Sequence, residues 1–268
     1  MPHEFTVDAD RTVAYAKATN DPLDAHLSGE LAPPVFAIVP VWEAIIPAAT
    51  TVLPADLLPL LVHGEQDIVV HRPIVPGMRL RSQAKVVGVH PKSSGTSIVI
   101  RTSTVDDRAE PVNDQHVVLF VRTPFTPEGD VLPAEPAPAH DFDERLRSTP
   151  PVTVHARVDD DQTFRYAEAS GDPMPIHLDA EVARAAGLPG IIVHGLCTMA
   201  FTSWAAIQVA GGDPRRLRRL AVRFSRPLLP GEEITTSFWP TSATSWQFET
   251  VSGAGSVVIR NGLAVFGG

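Results

Sequence analysis

The stretch SGDPMPIHLD (170–179), followed nine residues later by PGIIVHGLCTMAF (189–201), decides how this chain is interpreted. Asp172 and His177 lie in a segment stiffened by two prolines, each of which fixes its own φ and pushes the preceding residue towards an extended conformation. A spacing of five residues does not place two side chains on one helix face. The two groups therefore converge only if an irregular loop turns both of them to a common point. A Pro-stiffened surface turn with a solvated histidine is the alternative.

The second half of this stretch predicts a buried helix that begins at a glycine. Gly195 precedes LCTMAFTSWAAIQVA (196–210), which is apolar nearly all round and is followed by a glycine pair. A helix start presents free N–H groups and the positive end of the dipole, and glycine permits a close approach to the backbone. A carbonyl oxygen that gains negative charge could be held there. The alternative is a tight turn in which the backbone satisfies the His194 ring.

Together these features give YAEASGDPMPIHLDAEVARAAGLPGIIVHGLCTMA (166–200), which resembles the signature of the MaoC-like, type-2 enoyl-CoA hydratases. The resemblance implies an α+β hot-dog fold, in which an antiparallel sheet wraps a central helix. It also implies a hydro-lyase that interconverts trans-2-enoyl and (3R)-3-hydroxyacyl thioesters without a metal or redox cofactor. Asp172 and His177 would be the catalytic pair, and the Gly195 amide would hold the thioester carbonyl. Met174 stands where the family commonly has Asn, so a polar contact that orders the loop or the water is expected to be missing.

The chain is predicted to contain two copies of this unit. YAKATNDPLDAH (15–26) and YAEASGDPMPIH (166–177) are identical at six of twelve positions. HRPIVPG (71–77) similarly matches SRPLLPG (225–231). Each of the latter motifs precedes three strand-like stretches, at roughly 79–89, 96–106 and 116–123 and at roughly 232–240, 245–251 and 256–266.

A proline-rich segment separates the two copies and sets the predicted domain boundaries. We expect a double hot-dog with a degenerate repeat over 1–123, a linker over 124–150 and a catalytic repeat over 151–268. Two such repeats form a pseudo-dimer within one chain, and a homodimer of these units is compatible with that arrangement.

Asp21 and His26 repeat the Asp–His pair in the first copy, but the sequence around them differs. His26 lies seven residues before Pro33, whereas His177 lies twelve residues before Pro189, so a short helix resembling 179–187 is expected to be missing. The first copy therefore keeps the pair but loses part of its surroundings.

The first copy also lacks an equivalent of Gly195. Ile38 and Val39 occupy the position of the His-Gly pair, and Pro40 follows them. A β-branched residue before proline cannot replace a glycine where a carbonyl must approach closely. We interpret this half as a relic site whose segment LAPPVFAIVPVW (31–42) favours bulky or long acyl groups.

Composition and charge exclude several classes of protein. With 268 residues, of which 44% are hydrophobic and 20% charged, the chain is expected to be soluble and cytoplasmic, without a signal peptide or a transmembrane segment. The single Cys197 excludes an intrachain disulfide and is expected to be a buried structural thiol. No cluster of His, Cys, Asp and Glu has metal-ligand spacing. The net charge of −9 argues against nucleic-acid binding.

The remaining candidate binding residues are basic. Arg215, Arg216 and Arg218 follow the predicted helix and are most simply a solvated turn, but they could also bind the phosphates of coenzyme A or an acidic acyl-carrier protein. With His194 they form the candidate substrate-binding set. The substrate itself would carry the coenzyme A or the phosphopantetheine. A second His-Gly pair at His63 is assigned to a strand entry, because no apolar helix follows it.

Three other functions stay open at the level of sequence. The fold would also suit an acyl-carrier dehydratase or a thioesterase, although hot-dog thioesterases usually place a carboxylate on the central helix and residues 196–210 contain no Asp or Glu. A non-catalytic acyl-CoA-binding or partner subunit is the third. Release of free thiol would identify a thioesterase, and tight binding of enoyl-CoA without turnover would identify a binding subunit.

Overall fold

A computed structural model describes residues 3–127 and 134–268 of the chain. Ten strands form one antiparallel sheet in the order β1-β3-β4-β5-β2-β7-β10-β9-β8-β6. The first repeat supplies β1 to β5, and the second supplies β6 to β10. The strands are β1 His3–Thr6, β2 Leu61–Val70, β3 Arg79–Lys92, β4 Gly95–Asp106, β5 Pro111–Val121, β6 Val152–Arg157, β7 Leu217–Phe224, β8 Glu233–Pro240, β9 Ser245–Ser252 and β10 Val257–Phe266.

Within the described residues, six α-helices accompany the sheet. They are α1 Ala9–Ala18, α2 Asp24–Leu27, α3 Trp42–Ala49, α4 Gln162–Ser170, α5 Ala180–Ala185 and α6 Gly195–Val209. Helix α2 contains His26 and corresponds to the 3₁₀ turn Pro175–His177, so α5 has no counterpart in the first repeat, as expected from the sequence. The six strands predicted after the two Pro-Gly motifs and the helix predicted over 196–210 are confirmed with small shifts of their ends. Helices α1 and α4 pack against each other, and α6 contacts the strands of its own repeat. This is the double hot-dog arrangement expected from the sequence.

The two repeats differ most in their central helix. Helix α6 is continuous and buried over most of its length, as expected for a segment that is apolar nearly all round. In the first repeat a largely buried 3₁₀ helix, Pro34–Val41, occupies the positions equivalent to the approach to α6 and its first turn, and the shorter α3 occupies the positions that follow. Pro40 has no N–H for the i→i+3 bond to the Ala37 carbonyl, and the buried Gln115 side chain donates to that carbonyl instead, at 2.8 Å.

The two repeats join at β2 and β7, which we call the seam. Their pairing is centred on Asp67 opposite Ala221 and extends two residues to each side. Adding 154 to a residue number in β2 gives the equivalent residue in β7, and the same offset relates the two Pro-Gly motifs. An approximate two-fold axis therefore passes through the centre of the seam. The buried Asp67 carboxylate accepts hydrogen bonds from Arg219 of the other repeat, the shortest at 2.7 Å.

The segment between the repeats bonds to both of them. Ala134 forms a β-bridge with Gly88 of β3, and the Trp239 indole of β8 donates to the Thr149 carbonyl at 2.9 Å. A short 3₁₀ helix spans Glu144–Ser148. The linker predicted over 124–150 falls partly outside the described residues, at 128–133. Within the described residues, no helix combines the length and the apolar character needed to cross a bilayer.

Candidate active site

Asp172 begins the loop that leaves α4. Gly171 adopts the left-handed conformation, with φ of 81°, so that the helix ends and the chain turns inward. The Asp172 amide donates to the Ser170 hydroxyl at 3.2 Å, and its carboxylate oxygen Oδ1 accepts the Met174 N–H at 3.2 Å. Only 7% of the residue is exposed. The second carboxylate oxygen is therefore held in a buried position by a locally determined turn.

His177 ends a 3₁₀ turn that begins at Pro175, and 8% of it is exposed. Its Nδ1–H donates to the Ile192 carbonyl at 2.8 Å, which leaves a lone pair on Nε2. Side-chain ligand atoms of Asp172, His177 and His194 all lie within 4.8 Å of one another. Across the described residues, no direct hydrogen bond joins Asp172 to His177. One water molecule, with two hydrogen bonds of about 2.8 Å, can bridge two groups that lie up to about this far apart.

His194 contacts both members of the Asp172–His177 pair and fixes their geometry. It precedes the first residue of α6, it is 1% exposed, and its Nε2–H donates to the backbone carbonyl of Asp172 at 3.2 Å. Its ring stacks on the His177 ring with centroids 3.7 Å apart and planes 26° apart. Tyr166 packs against the ring of His194 at 4.8 Å. The expected backbone-bonded turn histidine is present, and it additionally positions both members of the pair.

The three side chains have the composition of a two-histidine, one-carboxylate metal site, but their geometry does not suit one. A metal ion requires ring lone pairs that converge on one point. The His177 and His194 rings are stacked face to face, so their lone pairs lie in nearly parallel planes. The stacked rings therefore do not offer a metal ion convergent lone pairs.

Burial shifts the pKa of each titratable group in the cluster. Desolvation raises the pKa of Asp172 from 3.8 to about 6, against the lowering effect of the Met174 N–H. Desolvation lowers the pKa of His177 from 6.5 to about 4, and that of His194 to about 3, with the neighbouring His177 contributing to the latter. At neutral pH the pair is therefore an ionised carboxylate and a neutral imidazole. Both can accept a hydrogen bond from one water.

Gly195 is the first residue of α6, so its N–H has no partner within the helix. A Cβ added at this position would lie 3.2 Å from ring carbons of Phe224, at the end of β7. The close approach of an aromatic ring therefore disfavours a Cβ here, as would a bound carbonyl. Two residues further along α6, Cys197 is fully buried, and burial raises the pKa of its thiol, as expected for a structural residue.

In the first repeat, the two side chains of the equivalent pair contact each other directly. The Nδ1–H of His26 donates directly to the Asp21 carboxylate at 2.7 Å, and the other carboxylate oxygen accepts the Leu23 N–H at 2.9 Å. Both residues are buried. This pair leaves no gap for a water between its members, which supports the interpretation as a relic site.

The candidate arginines lie at the opposite end of α6 from Gly195. The helix has 15 residues and is therefore about 22 Å long. Arg215 pairs with Glu30, Arg216 donates to the carbonyls of Gly267 and Ala210, and Arg218 donates to those of Arg215 and Leu217. The structure does not bring these side chains to the pair.

Sequence reasoning missed the residues that support the site from behind. Tyr166, whose ring packs against that of His194, is fully buried, and its hydroxyl is hydrogen-bonded to that of Tyr15 at 3.1 Å. A signal for this contact existed, because the two tyrosines occupy equivalent positions of the repeats. No local signal marked Phe224.

Two family models match successive parts of the chain. The MFE-2 hydratase 2 N-terminal domain matches residues 28–123, and the MaoC like domain matches residues 139–262. The chain belongs to the MaoC-like hydratase family. The two matches follow the order of the first and second repeats.

Relatives and solved structures agree with membership of the MaoC-like family. Peroxisomal multifunctional enzyme type 2 of Drosophila melanogaster is 30% identical over 215 residues, which cover 78% of this chain and 33% of that protein. Enoyl-CoA hydratase 2, peroxisomal, of Arabidopsis thaliana is 29% identical over a match that covers 67% of this chain and 60% of that protein. The crystal structure of a MaoC-like dehydratase from Phytophthora capsici superposes with a TM-score of 0.85 at 26% identity, over 99% of this chain and 94% of that one. This chain thus spans less than two thirds of either relative.

The raised pKa of Asp172 predicts that this MaoC-like site destabilises the fold. The pKa of this carboxyl is about 6 in the folded protein and 3.8 in an unperturbed aspartate, so its ionisation at neutral pH destabilises the folded state by about 3 kcal/mol. The sign follows from the raised value: the folded state is favoured at low pH, and this contribution is lost as the pH rises through about 6. We expect Asp172→Asn to raise the free energy of unfolding by about 1–3 kcal/mol at pH 7.5 and by much less at pH 4.5. Urea unfolding at both pH values measures the difference, and an equal gain at both would contradict the assignment.

Proposed function

We propose that this protein is a hydro-lyase that interconverts trans-2-enoyl-CoA and (3R)-3-hydroxyacyl-CoA thioesters. One observation carries the proposal: a buried carboxylate and a neutral imidazole lie within 4.8 Å of each other without a direct hydrogen bond, beside a helix that starts at a glycine. Asp172 and His177 are the groups that hold the water, and the Gly195 amide binds the thioester carbonyl. The names of the relatives, a hydratase and a dehydratase, support both directions of the reaction.

The geometry suggests how hydration proceeds. The water donates one hydrogen bond to the free oxygen of Asp172 and one to Nε2 of His177, which orients its oxygen lone pair towards C3 of the enoyl group. As the C3–O bond forms, negative charge moves to the thioester oxygen. The Gly195 N–H and the positive end of α6 stabilise that charge. The proton lost by the water is retained by the coupled pair and delivered to C2, so that one water is added in total.

We further propose that long or bulky acyl chains are preferred. The 3₁₀ helix Pro34–Val41 leads into the shorter central helix α3 of the first repeat and packs against α6. It is composed of apolar residues that are buried after Pro34. An acyl chain that leaves the catalytic site between the repeats would therefore meet apolar walls.

Neither of the other two kinds of function fits the site as well. A thioesterase of this fold would use a carboxylate on the central helix, and α6 has none. A binding subunit would not need a buried ionised carboxylate that costs stability. The cytoplasmic location expected from the sequence stays a prediction, since both relatives above are named as peroxisomal enzymes. The expected homodimer also stays a prediction.

The proposal is tested by incubating the purified protein with crotonyl-CoA and octenoyl-CoA. We expect loss of the conjugated enoyl-thioester absorbance, faster for octenoyl-CoA, with a (3R) product on chiral analysis. A thiol reagent in a parallel assay measures hydrolysis, and it is expected to remain silent. Thiol release at the rate of absorbance loss would identify a thioesterase instead, and saturable binding with no absorbance change would identify a binding subunit.

A further inference from the structure

The two-fold relation at the seam predicts which residue of the relic repeat lies nearest the proposed catalytic site. In the relic repeat, a small cavity beside His26 is lined by Val70 and by Leu217, which comes from the other repeat. Since the axis passes through the centre of the seam, each repeat must contribute the equivalent residues to the other site. With the offset of 154, Val70 corresponds to Phe224 and Leu217 corresponds to His63.

The structure places His63 as this symmetry requires. Its ring packs edge-to-face against Phe224, with centroids 5.0 Å apart and planes at 70°. Phe224 in turn lies against Gly195, at 3.2 Å from where a Cβ would be. A continuous set of contacts therefore runs from the first repeat to the amide that binds the thioester.

The local backbone is shaped to direct this ring. His63 pairs with Leu119 and Glu65 pairs with Val118, so that Gly64 is the extra residue of a β-bulge. Bulges bend a strand and re-aim the neighbouring side chain. The Nε2–H of His63 donates to the Glu65 carbonyl across the bulge at 3.1 Å, which fixes the ring. Burial lowers the pKa of His63 to about 4, so the ring is neutral when it packs on Phe224.

The sequence assignment of His63 to a strand entry is thus correct in position, since β2 begins at Leu61. The absence of an apolar helix behind it excludes a second oxyanion site. It does not exclude a contribution to the site of the other repeat.

We propose that His63 is a positioning residue of the active site: it holds Phe224 against Gly195 and so maintains the shape of the thioester subsite. This inference rests on the proposed hydration reaction. It gives the relic repeat a role in catalysis beyond that of a wall for the acyl chain. An aromatic edge-to-face contact of this kind corresponds to about a threefold to tenfold effect on rate.

The test compares kcat and KM for octenoyl-CoA hydration in single and double variants of the full chain. We expect His63→Ala to lower kcat about threefold to tenfold with little change in KM, and His63→Phe to retain the wild-type rate because it keeps the ring. In a Phe224→Leu background, His63→Ala should have no further effect, because its partner is gone. His155→Ala, which removes an exposed histidine of β6, is the control and should leave both constants unchanged.

The possible outcomes separate failure of the proposed reaction from failure of the proposed role of His63. An inactive wild type refutes the proposed reaction, and this inference falls with it. An active wild type with unchanged kcat in His63→Ala, or effects of His63→Ala and Phe224→Leu that simply multiply, refutes the role of His63 alone. Should His63→Ala unfold, His63→Leu keeps the bulk without the aromatic ring and is held to the same expectation.

Discussion

Asp172→Asn and His177→Gln are each expected to lower the rate of octenoyl-CoA hydration about a thousandfold or more. General acid–base catalysis by a positioned side chain is worth about 10² to 10⁴ in rate, and each substitution removes one of the two acceptors that hold the water. The asparagine amide would turn an N–H or a weaker acceptor towards the water, while the glutamine amide has no titratable nitrogen. Absorbance loss under saturating substrate measures the effect, and full activity of Asp172→Asn would overturn the assignment of the pair.

The pH dependence of the wild-type enzyme provides a second readout for Asp172. The carboxylate must be ionised to accept a proton, so kcat is expected to increase as the pH rises through about 6. His177 stays neutral over the same range because its pKa is about 4. A kcat that is flat between about pH 5 and pH 8 would contradict this role of the carboxylate.

The relic pair supplies the matched control for these variants. Asp21→Asn keeps an oxygen that can accept the Nδ1–H of His26, and His26→Gln keeps a donor near Asp21, so both variants preserve a hydrogen bond in this pair. Hydration should remain within about twofold of wild type, after correction for any unfolded fraction seen by circular dichroism. Loss of activity in a fully folded Asp21→Asn protein would show that the first repeat is not a relic.

The parts of the fold and site that the sequence predicts correctly are the ones encoded locally. The apolar run after Gly195 specifies a buried helix wherever it lies, and alternating residues after each Pro-Gly motif specify strands. The Asp172 turn is likewise local, since its Ser170 and Met174 contacts lie within two residues. Such features need no knowledge of the other repeat.

The parts that the sequence does not predict depend on contacts between distant segments. His63 and Phe224 meet because β2 and β7 pair at the seam, and the sequence of neither strand predicts that pairing. The stacking of His194 on His177 depends on how α6 approaches the loop. The broken central segment of the relic repeat is tolerated because Gln115, far along the chain, donates to Ala37.

The arginine cluster shows that a run of basic residues can serve local hydrogen bonds and ion pairs rather than ligand binding. A helix ends with carbonyl groups that have no intrahelical partners, and cations near that end are stabilised by the dipole. Arg216 donates to the Ala210 carbonyl at the end of α6 and to the Gly267 carbonyl just after β10. The helix end therefore explains Arg216, whereas Arg215 is explained by its ion pair with Glu30 and Arg218 by its hydrogen bonds to the carbonyls of Arg215 and Leu217.

Gly195→Ala is expected to lower kcat/KM for octenoyl-CoA about tenfold to a hundredfold. The substitution leaves the amide in place, so it tests the space around the thioester rather than the hydrogen bond itself. The new Cβ would lie 3.2 Å from the Phe224 ring, so the ring must shift to relieve the contact, and this shift changes the shape of the thioester subsite. Alanine is a better helix former than glycine, so the helix itself is not expected to weaken.

The same loop offers a matched control for this substitution. Gly190 lies five residues earlier, and a Cβ added there would meet no atom within 4 Å. Gly190→Ala should therefore leave kcat/KM close to wild type. Phe224→Leu combined with Gly195→Ala should recover part of the lost rate, because the smaller side chain relieves the contact. Equal losses in Gly190→Ala and Gly195→Ala would mean that the loop is sensitive to any added methyl group, and that Phe224 does not define the subsite.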